Sequence, residues 1–399
     1  MIVPPEALDD LGQVAKATIT FLRYKLTLGF RSDGEVAPLE IRSEELQHVN
    51  LTDARKHIGF PYRGAWANSV LHGRRSGKAF ISTERDGEAS SVEIHQDRGT
   101  GGRNRVVSAR QLPRTVLSTT NAAEAPTALV ARREMQSWRL LQFEPTALRA
   151  PDSYRAANRI EANGAHIPAT LARLAKKGRD SSLYAAIANR LAELTEGVRA
   201  IRVDEDARRE LLTLLVTDIQ GTEHEARALS DGTLRFLALA VLAEDPEAQG
   251  LLCLEEPENG IHPARIPAML RMLSELAVDT TERVGSNNPL RQIIVNTHSP
   301  AFVNLVPEDS LIVVKTETHE HKGAKIPAAR FRWLGDTWRD GVVPQTALPK
   351  GDLLAYLNPA AVSRDSKEAQ IPAPMAGRRV IDRPDIRQIS LFPRAVESK

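Results

Sequence analysis

The sequence predicts an α/β protein whose core is a parallel sheet with helices on both faces. Two observations support this fold class. Between Ala228 and Lys315, helical segments alternate with short, uniformly apolar strands, a pattern typical of parallel sheets buried on both faces. From Thr18 to about Val107, apolar and polar residues alternate between Gly, Asn and Asp turns, which predicts an amino-terminal antiparallel β region.

The composition is that of a globular protein and excludes a fibrous or fully disordered chain. Of 399 residues, 42% are hydrophobic and 26% charged, and the net charge is only +2. Such a balance does not by itself indicate nucleic acid or a membrane as partner. The single Cys253 and an amino terminus unlike a secretory leader indicate a cytoplasmic protein. The longest apolar run, Phe236 to Ala243, is too short to cross a membrane.

Changes in pattern divide the chain into four regions. They are an amino-terminal β-rich lobe (1–165), a helical insert with linking strands (166–228), the carboxyl-terminal lobe of the α/β core (229–336) and an extension with a tail (337–399). The insert has apolar residues at three- and four-residue steps from Pro168 to Thr195, which predicts two helices. Strands are predicted at 199–203 and 210–219. Beyond about Tyr356, a Pro- and Ala-rich stretch without periodicity predicts a flexible tail.

One glycine-rich segment and the core lobe complete the assignment of elements. The glycines between Asp97 and Asn104 have no strand before them and no helix after them, so they predict a hairpin loop instead of a phosphate-binding loop. In the core lobe, helices are predicted at 231–243, 263–277 and 301–305. The strands at 251–254, 292–296 and 311–314 are assigned to the parallel sheet.

The first chemical motif opens the helix at 231. The segment Leu229 to Arg235 places Ser230 as a polar cap before an apolar helical face. Free backbone amides and the Ser230 hydroxyl would face an incoming ligand, where the helix dipole favours an anion. Polar caps are common, so this motif alone has low specificity.

The second motif is a pair of adjacent carboxylates, Glu255 and Glu256, at the end of the apolar strand 251–254. Open α/β sheets bind ligands at the carboxyl ends of their strands. Because successive strand side chains point to opposite faces, the two glutamates cannot share one role. One can hold Mg²⁺ or its water while the other accepts a proton from an attacking water. The alternative is that acidic residues only cap the next helix, which suits Glu258 but leaves the adjacent pair unexplained.

Two histidines follow the two apolar strands. His262 immediately precedes Pro263 at the start of a helix, where a structural capping role is the simpler interpretation. His298 lies in a polar turn after strand 292–296, where it could orient water or contact a terminal phosphate, or act as a hydrogen-bonded structural residue.

The order of these motifs resembles the carboxyl-terminal half of ABC-type ATPases, most closely the SMC/RecF-like group of ATPases with AAA-type domains. The resemblance implies a P-loop NTPase-like core that binds ATP and Mg²⁺. It implies Glu255 as the Mg²⁺-linked Walker B acid, Glu256 as the catalytic base and His298 as the switch histidine. It also implies a signature loop around Ser230, Asp231, Gly232 and Thr233 that approaches ATP bound to a second subunit, and a D-loop containing Asn259 and His262.

One expected element is missing from the sequence. No GxxxxGKS or GxxxxGKT occurs, and the nearest string, Gly73 to Ala79, has too few residues between its glycines and an alanine where a hydroxyl is needed. A P-loop supplies several backbone amides and a lysine to phosphates. Two explanations remain open: the chain begins downstream of its P-loop, or it is a half-site partner that lends Ser230 to ATP held by another subunit.

Three functional hypotheses follow from these residues. The first is an ATP-hydrolysing switch, with nucleotide sandwiched in a homodimer or heterodimer and closure transmitted to a partner protein or DNA in repair or anti-phage defence. The second is a non-catalytic regulatory subunit that cannot bind ATP alone. The third, a metal-dependent hydrolase that uses both glutamates and both histidines, lacks the ligand spacing that such sites show.

Overall fold

The computed structural model describes most of the chain, as two units. The described residues are 1–30, 39–86, 89–97, 105–109, 112–177, 180–195, 197–321, 324–341 and 347–357. One unit comprises Met1–Leu348 and the other Pro349–Lys399. The predicted tail beyond Tyr356 and most of the glycine-rich loop at 97–104 lie outside the described residues. None of the described helices is long and apolar enough to cross a membrane.

The amino-terminal region is an antiparallel β structure with two short helices. Its elements are β1 (Glu6–Leu8), β2 (Val14–Lys16), β3 (Leu22–Phe30), β4 (Leu39–His48), α1 (Leu51–His57), α2 (Gly64–Val70), β5 (Ile81–Asp86), β6 (Ala89–Ile94) and β7 (Arg105–Ser108). The last five strands form one antiparallel sheet in sequential order. The predicted antiparallel region is therefore confirmed. Helices α1 and α2 were not predicted, because seven residues each are too few to show a clear helical period.

The central part of the chain contains the helical insert and its strands. Its elements are α3 (Pro126–Ser137), β8 (Arg139–Leu141), α4 (Pro145–Arg149), β9 (Asp152–Ser153), α5 (Ile167–Lys177), α6 (Asp180–Leu194), β10 (Val198–Asp206), β11 (Leu211–Asp218) and β12 (Glu223–Glu225). The two predicted helices and the two predicted strands of the insert are confirmed. Strand β11 lies in the middle of a small antiparallel sheet, paired with β9, β10 and β12.

The core lobe follows the predicted alternation of helix and strand. Its elements are α7 (Asp231–Glu244), β13 (Gly250–Glu255), α8 (Ile266–Leu276), β14 (Arg291–Asn296), α9 (Pro300–Val303), β15 (Ile312–His321) and β16 (Ala324–Trp333). In the second unit, α10 comprises Lys350–Leu357. Strand β13 pairs in parallel with β14 on one side and with β8 on the other. This three-stranded sheet, in the order β14-β13-β8, is the parallel core that the strand pattern predicted.

The strand predicted at 311–314 exists, but its assignment to the parallel sheet was wrong. It is part of β15, which pairs antiparallel with β16 along its whole length, from Ile312 opposite Trp333 to His321 opposite Ala324. The reason is local: β16 follows β15 after a two-residue connection, and antiparallel strands can join through a tight turn whereas parallel ones need a long crossover.

The largest hydrophobic core lies on one face of the parallel sheet. Leu252 and Leu254 of β13 are buried there together with residues of α7 and α8. Helix α7 contributes an almost continuous buried run from Gly232 to Leu242. The start of β14 is fixed by Arg291, whose guanidinium is buried and donates to the backbone carbonyls of Ala248, Leu276 and Asp245. Burial lowers the pKa of Arg291 to about 10.

Candidate functional site

The two predicted carboxylates lie at the carboxyl end of β13, as the strand pattern indicated. Glu255 is the last residue of the strand, pairs with Asn296 of β14, and is exposed. Its Oε2 accepts a hydrogen bond of 3.1 Å from Nε2 of Gln142, which directly follows β8. Sequence reasoning missed Gln142, because β8 is only three residues long and the pairing with β13 defines it as a strand.

Glu256 occupies a constrained turn just beyond the strand. Its φ of 44° lies in the left-handed region that favours glycine, a conformation that costs about 1–3 kcal/mol and tends to occur at functional sites. The Glu256 amide donates to the carbonyl of Asn296 at 2.8 Å, and the Glu256 carbonyl accepts from the amide of Asn259 at 3.0 Å. Backbone hydrogen bonds on both sides therefore hold the strained residue.

The histidine turn lies next to this pair because β13 and β14 are adjacent and parallel. Asn296 ends β14, and His298, which is exposed, follows two residues later. Ser299 then caps α9, its hydroxyl accepting from the amide of Phe302 at 3.3 Å. The structure thus brings Glu255, Glu256 and the turn of His298 to the same edge of the parallel sheet.

The signature-like residues lie around a separate cleft. Ser230 is the N-cap of α7, and its Oγ accepts from the amide of Thr233 at 3.2 Å. A cleft of about 410 Å³ is open beside this cap. Its lining residues are Leu194, Thr195, Ser230, Gly232, Thr233, Gly260, Ile261, His262 and Arg265. Neither glutamate of the pair nor His298 lines this cleft.

Close backbone packing joins α7 to the loop after β13. A Cβ at Gly232 would lie only 2.5 Å from the carbonyl oxygen of Gly260. This distance is well below van der Waals contact, so only glycine fits without a shift of the loop. The amino terminus of α7 and the loop before α8 are therefore held together, and both contribute to the cleft.

The remaining predicted site residues have structural partners as well. Asp231 forms an ion pair with Arg149, whose guanidinium also donates to the Leu229 carbonyl. The Asn259 carbonyl accepts from Arg235 at 3.3 Å. His262 caps the short helical turn at 263–265, with Nδ1 accepting from the amide of Ala264 at 3.2 Å. The capping role is confirmed for His262 and was wrong for Glu258, whose carboxylate accepts from the hydroxyl of Thr297.

The string nearest to a P-loop belongs to the amino-terminal region and not to the parallel sheet. Gly73 to Ala79 connects α2 to β5, so a strand and not a helix follows it. Gly73 has φ of 83°, and a Cβ there would lie 1.9 Å from the carbonyl of Thr18. Arg75 donates to the carbonyls of Gln96 and Asp97, and Lys78 forms an exposed ion pair with Glu84. These contacts indicate that the segment is a structural connection between α2 and β5.

The carboxylate of Glu255 is the kind of ligand that Mg²⁺ takes from a protein. No group of three His, Cys, Asp or Glu side chains in the described ranges is arranged to hold a metal ion. Mg²⁺, however, usually binds through one or two carboxylates together with water and phosphate oxygens. The exposed carboxylate of Glu255 at the sheet edge, oriented by Gln142, fits that requirement.

One family of known proteins matches the region that contains the glutamate pair and the histidine turn. Residues 107–304, almost half of the chain, match the family described as "AAA domain, putative AbiEii toxin, Type IV TA system". A search of curated proteins finds no match.

The solved structures that are similar include heads of SMC proteins. An SMC head domain with a coiled coil and joint from Pyrococcus yayanosii has 11% identity and a TM-score of 0.28, over 45% of this chain and 29% of that chain. This chain thus spans less than a third of that protein's length. An SMC head from Pyrococcus furiosus bound to the C-terminal domain of ScpA has 9% identity and a TM-score of 0.31, over 73% and 77%. The SMC head domain from Thermotoga maritima has 13% identity and a TM-score of 0.27, over 78% and 98%.

Proposed function

We propose that the chain is an ATP-hydrolysing switch, and that residues 107–304, which match an AAA-domain family, are its ATPase domain of the SMC/RecF-like type. One observation carries the proposal. Strands β13 and β14 place an adjacent pair of glutamates and a histidine turn at one sheet edge, linked by the 2.8 Å hydrogen bond from the Glu256 amide to the Asn296 carbonyl. Acidic residues that only capped the next helix would not need to lie beside the histidine turn of a second strand.

Within the proposed site the two glutamates have different tasks. Glu255, exposed and hydrogen-bonded by Gln142, would hold Mg²⁺, which supplies charge stabilisation to phosphate oxygens when it is bound. Glu256, half-buried and fixed by backbone bonds on both sides, would accept the proton of the attacking water. His298 would contact the terminal phosphate from the neighbouring strand end.

The cleft beside Ser230 supports a role for a second subunit. Ser230 is exposed, and its cleft is lined by different residues from those at the glutamate edge. A serine that is accessible at the amino terminus of α7 can contact an anion presented by another protein surface. We therefore propose that ATP is bound between two heads, in a homodimer or a heterodimer, and that closure is transmitted to a partner protein or DNA.

The experiment is the Glu256→Gln variant, made in a version of the protein to which a P-loop is supplied on the same chain or by a partner. Loss of the base should lower turnover by about 10²–10⁴-fold and should trap an ATP-bound dimer, measured by light scattering. The Glu84→Gln variant, at an exposed glutamate of β5, is the matched control. Unchanged turnover in Glu256→Gln would overturn the role of Glu256.

A second candidate function is a half-site or regulatory subunit that does not bind ATP unaided. The observation in its favour is that the segment nearest to a P-loop is committed to structural contacts and precedes a strand. Calorimetric titration of the 399-residue chain with ATP and Mg²⁺ separates the two proposals. Micromolar binding would contradict the half-site, whereas no binding together with stimulation of a P-loop-bearing partner would support it.

A further inference from the structure

Glu258 is the buried carboxylate of the loop between β13 and α8. It is 8% exposed, whereas Glu256 of the same loop is half-buried and Glu255, the last residue of β13, is exposed. Its Oε1 accepts a hydrogen bond from the hydroxyl of Thr297. Its other oxygen, Oε2, is buried and has no hydrogen-bond partner among the described residues.

Stability alone does not explain a glutamate in this environment. A buried polar atom without a partner loses its hydration and gains nothing in return. Replacement of a whole buried ion pair by apolar residues is often neutral or stabilising, because the desolvation penalty of the charges disappears. In Glu258→Met the penalty of the unpaired Oε2 disappears and the hydrogen bond to Thr297 is lost, so the two changes offset each other in stability.

The bond to Thr297 connects two loops that carry the proposed chemistry. Thr297 directly precedes His298, and its hydroxyl also accepts from the amide of Ser299 at 3.0 Å. The loop of Glu256 is thus tied to the histidine turn at two points: the Glu256 amide to the Asn296 carbonyl, and the Glu258 carboxylate to Thr297. The two points lie on either side of Pro257, which is itself buried.

We infer that Glu258 is a positioning residue, which fixes the turn of His298 relative to Glu256 through the hydroxyl of Thr297. Because it is buried, Glu258 would touch neither Mg²⁺ nor nucleotide. Its contribution is to hold Glu256 and His298, which follow different strands, in a fixed relative position. Catalytic rates are sensitive to displacements of such groups by about 1 Å. The role of these groups in hydrolysis rests on the proposed function.

The first test measures amide hydrogen exchange in the chain without nucleotide. Thr297→Val keeps the shape but removes the hydroxyl, which donates to Glu258 and accepts from the Ser299 amide, whereas Thr297→Ser keeps the hydroxyl. We expect the amides of Glu256 and Asn259 to exchange about tenfold faster in Thr297→Val, because local opening becomes easier, and to exchange at the wild-type rate in Thr297→Ser. Unchanged exchange in Thr297→Val would overturn the inference.

The second test separates positioning from stability. We expect Glu258→Met to unfold at the wild-type temperature or above, yet to show the same faster exchange at Glu256 and Asn259. Glu258→Gln, which keeps an acceptor for Thr297, should restore slow exchange. A fall in melting temperature in Glu258→Met with the exchange pattern unchanged would show that Glu258 is only a structural residue.

A third measurement links the inference to catalysis where a P-loop is supplied. Thr297→Val should then lower kcat with KM unchanged, and Thr297→Ser should restore kcat. Equal kcat for Thr297→Val and wild type would contradict the positioning role. The exchange measurements need no nucleotide, so they still decide the inference if ATP hydrolysis itself is not found.

Discussion

The two faces of the parallel sheet differ sharply in burial. On one face, Leu252 and Leu254 are almost completely buried under helices α7 and α8. On the other face, a row across the three strands is formed by Leu140, Cys253 and Ile294, which are paired in register. Leu140 is 54% exposed and Ile294 48% exposed.

The packing that stabilises the sheet and the proposed Mg²⁺ ligand Glu255 therefore lie on different faces of one sheet. The buried face provides the packing that holds β13 and β14 side by side. Glu255 belongs to the open face, because it lies two residues beyond Cys253 and successive strand side chains alternate. Parallel sheets are ordinarily covered on both faces, so the described part of the chain leaves one face of this sheet unusually accessible.

The largest stability effect is expected at Arg291 on the buried face. Arg291→Met removes the donors of three backbone carbonyls, those of Ala248, Leu276 and Asp245. A buried acceptor left without its donor costs about 1–3 kcal/mol, and Arg291→Met leaves three such acceptors. Urea unfolding followed by circular dichroism measures this cost. The adjacent Gln292→Met, on the exposed side of β14, is the control and should change stability by less than about 0.5 kcal/mol.

A smaller difference is expected between matched apolar truncations on the two faces. Leu254→Ala should cost about 2–5 kcal/mol, because it leaves a cavity under α7 and α8. Ile294→Ala on the open face should cost less than about 1 kcal/mol, because that side chain is already half exposed. The measurement is the unfolding midpoint in urea. Equal costs would show that the open face is covered in solution.

The smallest effect concerns the half-buried Cys253, the single cysteine of the chain. We expect a maleimide reagent to modify its thiol in the native state, because the row on either side of it is exposed. Mass spectrometry of the intact protein measures the modification, with urea-unfolded protein as the reference for full labelling. Complete protection of the native thiol would mean that another segment or a partner covers this face.

The sequence predicted most of the core lobe because its elements are long and strongly patterned. Helix α7 and strands β13 and β14 were found within a residue or two of the predicted bounds. Placing Glu255 and Glu256 at the end of β13 and His298 after β14 followed from the rule that parallel strands end at the same edge of the sheet. The roles proposed for these residues remain predictions.

Other features could not be predicted, because they depend on residues distant in the chain. Strand β8 is recognisable only through its pairing with β13, and with it Gln142, which contacts Glu255 over a separation of 113 residues. The bond between Glu258 and Thr297 was likewise not foreseen, since helix capping is the usual local role of an acidic residue there. Hydrogen bonds between loops leave no periodic signal in the sequence.

The amino-acid sequence by itself determined helices α7 and α8 and strands β13 and β14 of the core lobe, and which polar residues follow the two strands. It could do so because apolar periodicity and the residues at strand ends are local properties. Only the tertiary structure decided that β15 pairs with β16 and not with the parallel sheet, that the described residues leave one sheet face open, and that Glu258 turns inward to Thr297. These outcomes depend on which surfaces compete for burial and on which donors reach a buried acceptor, and neither is a property of a single segment.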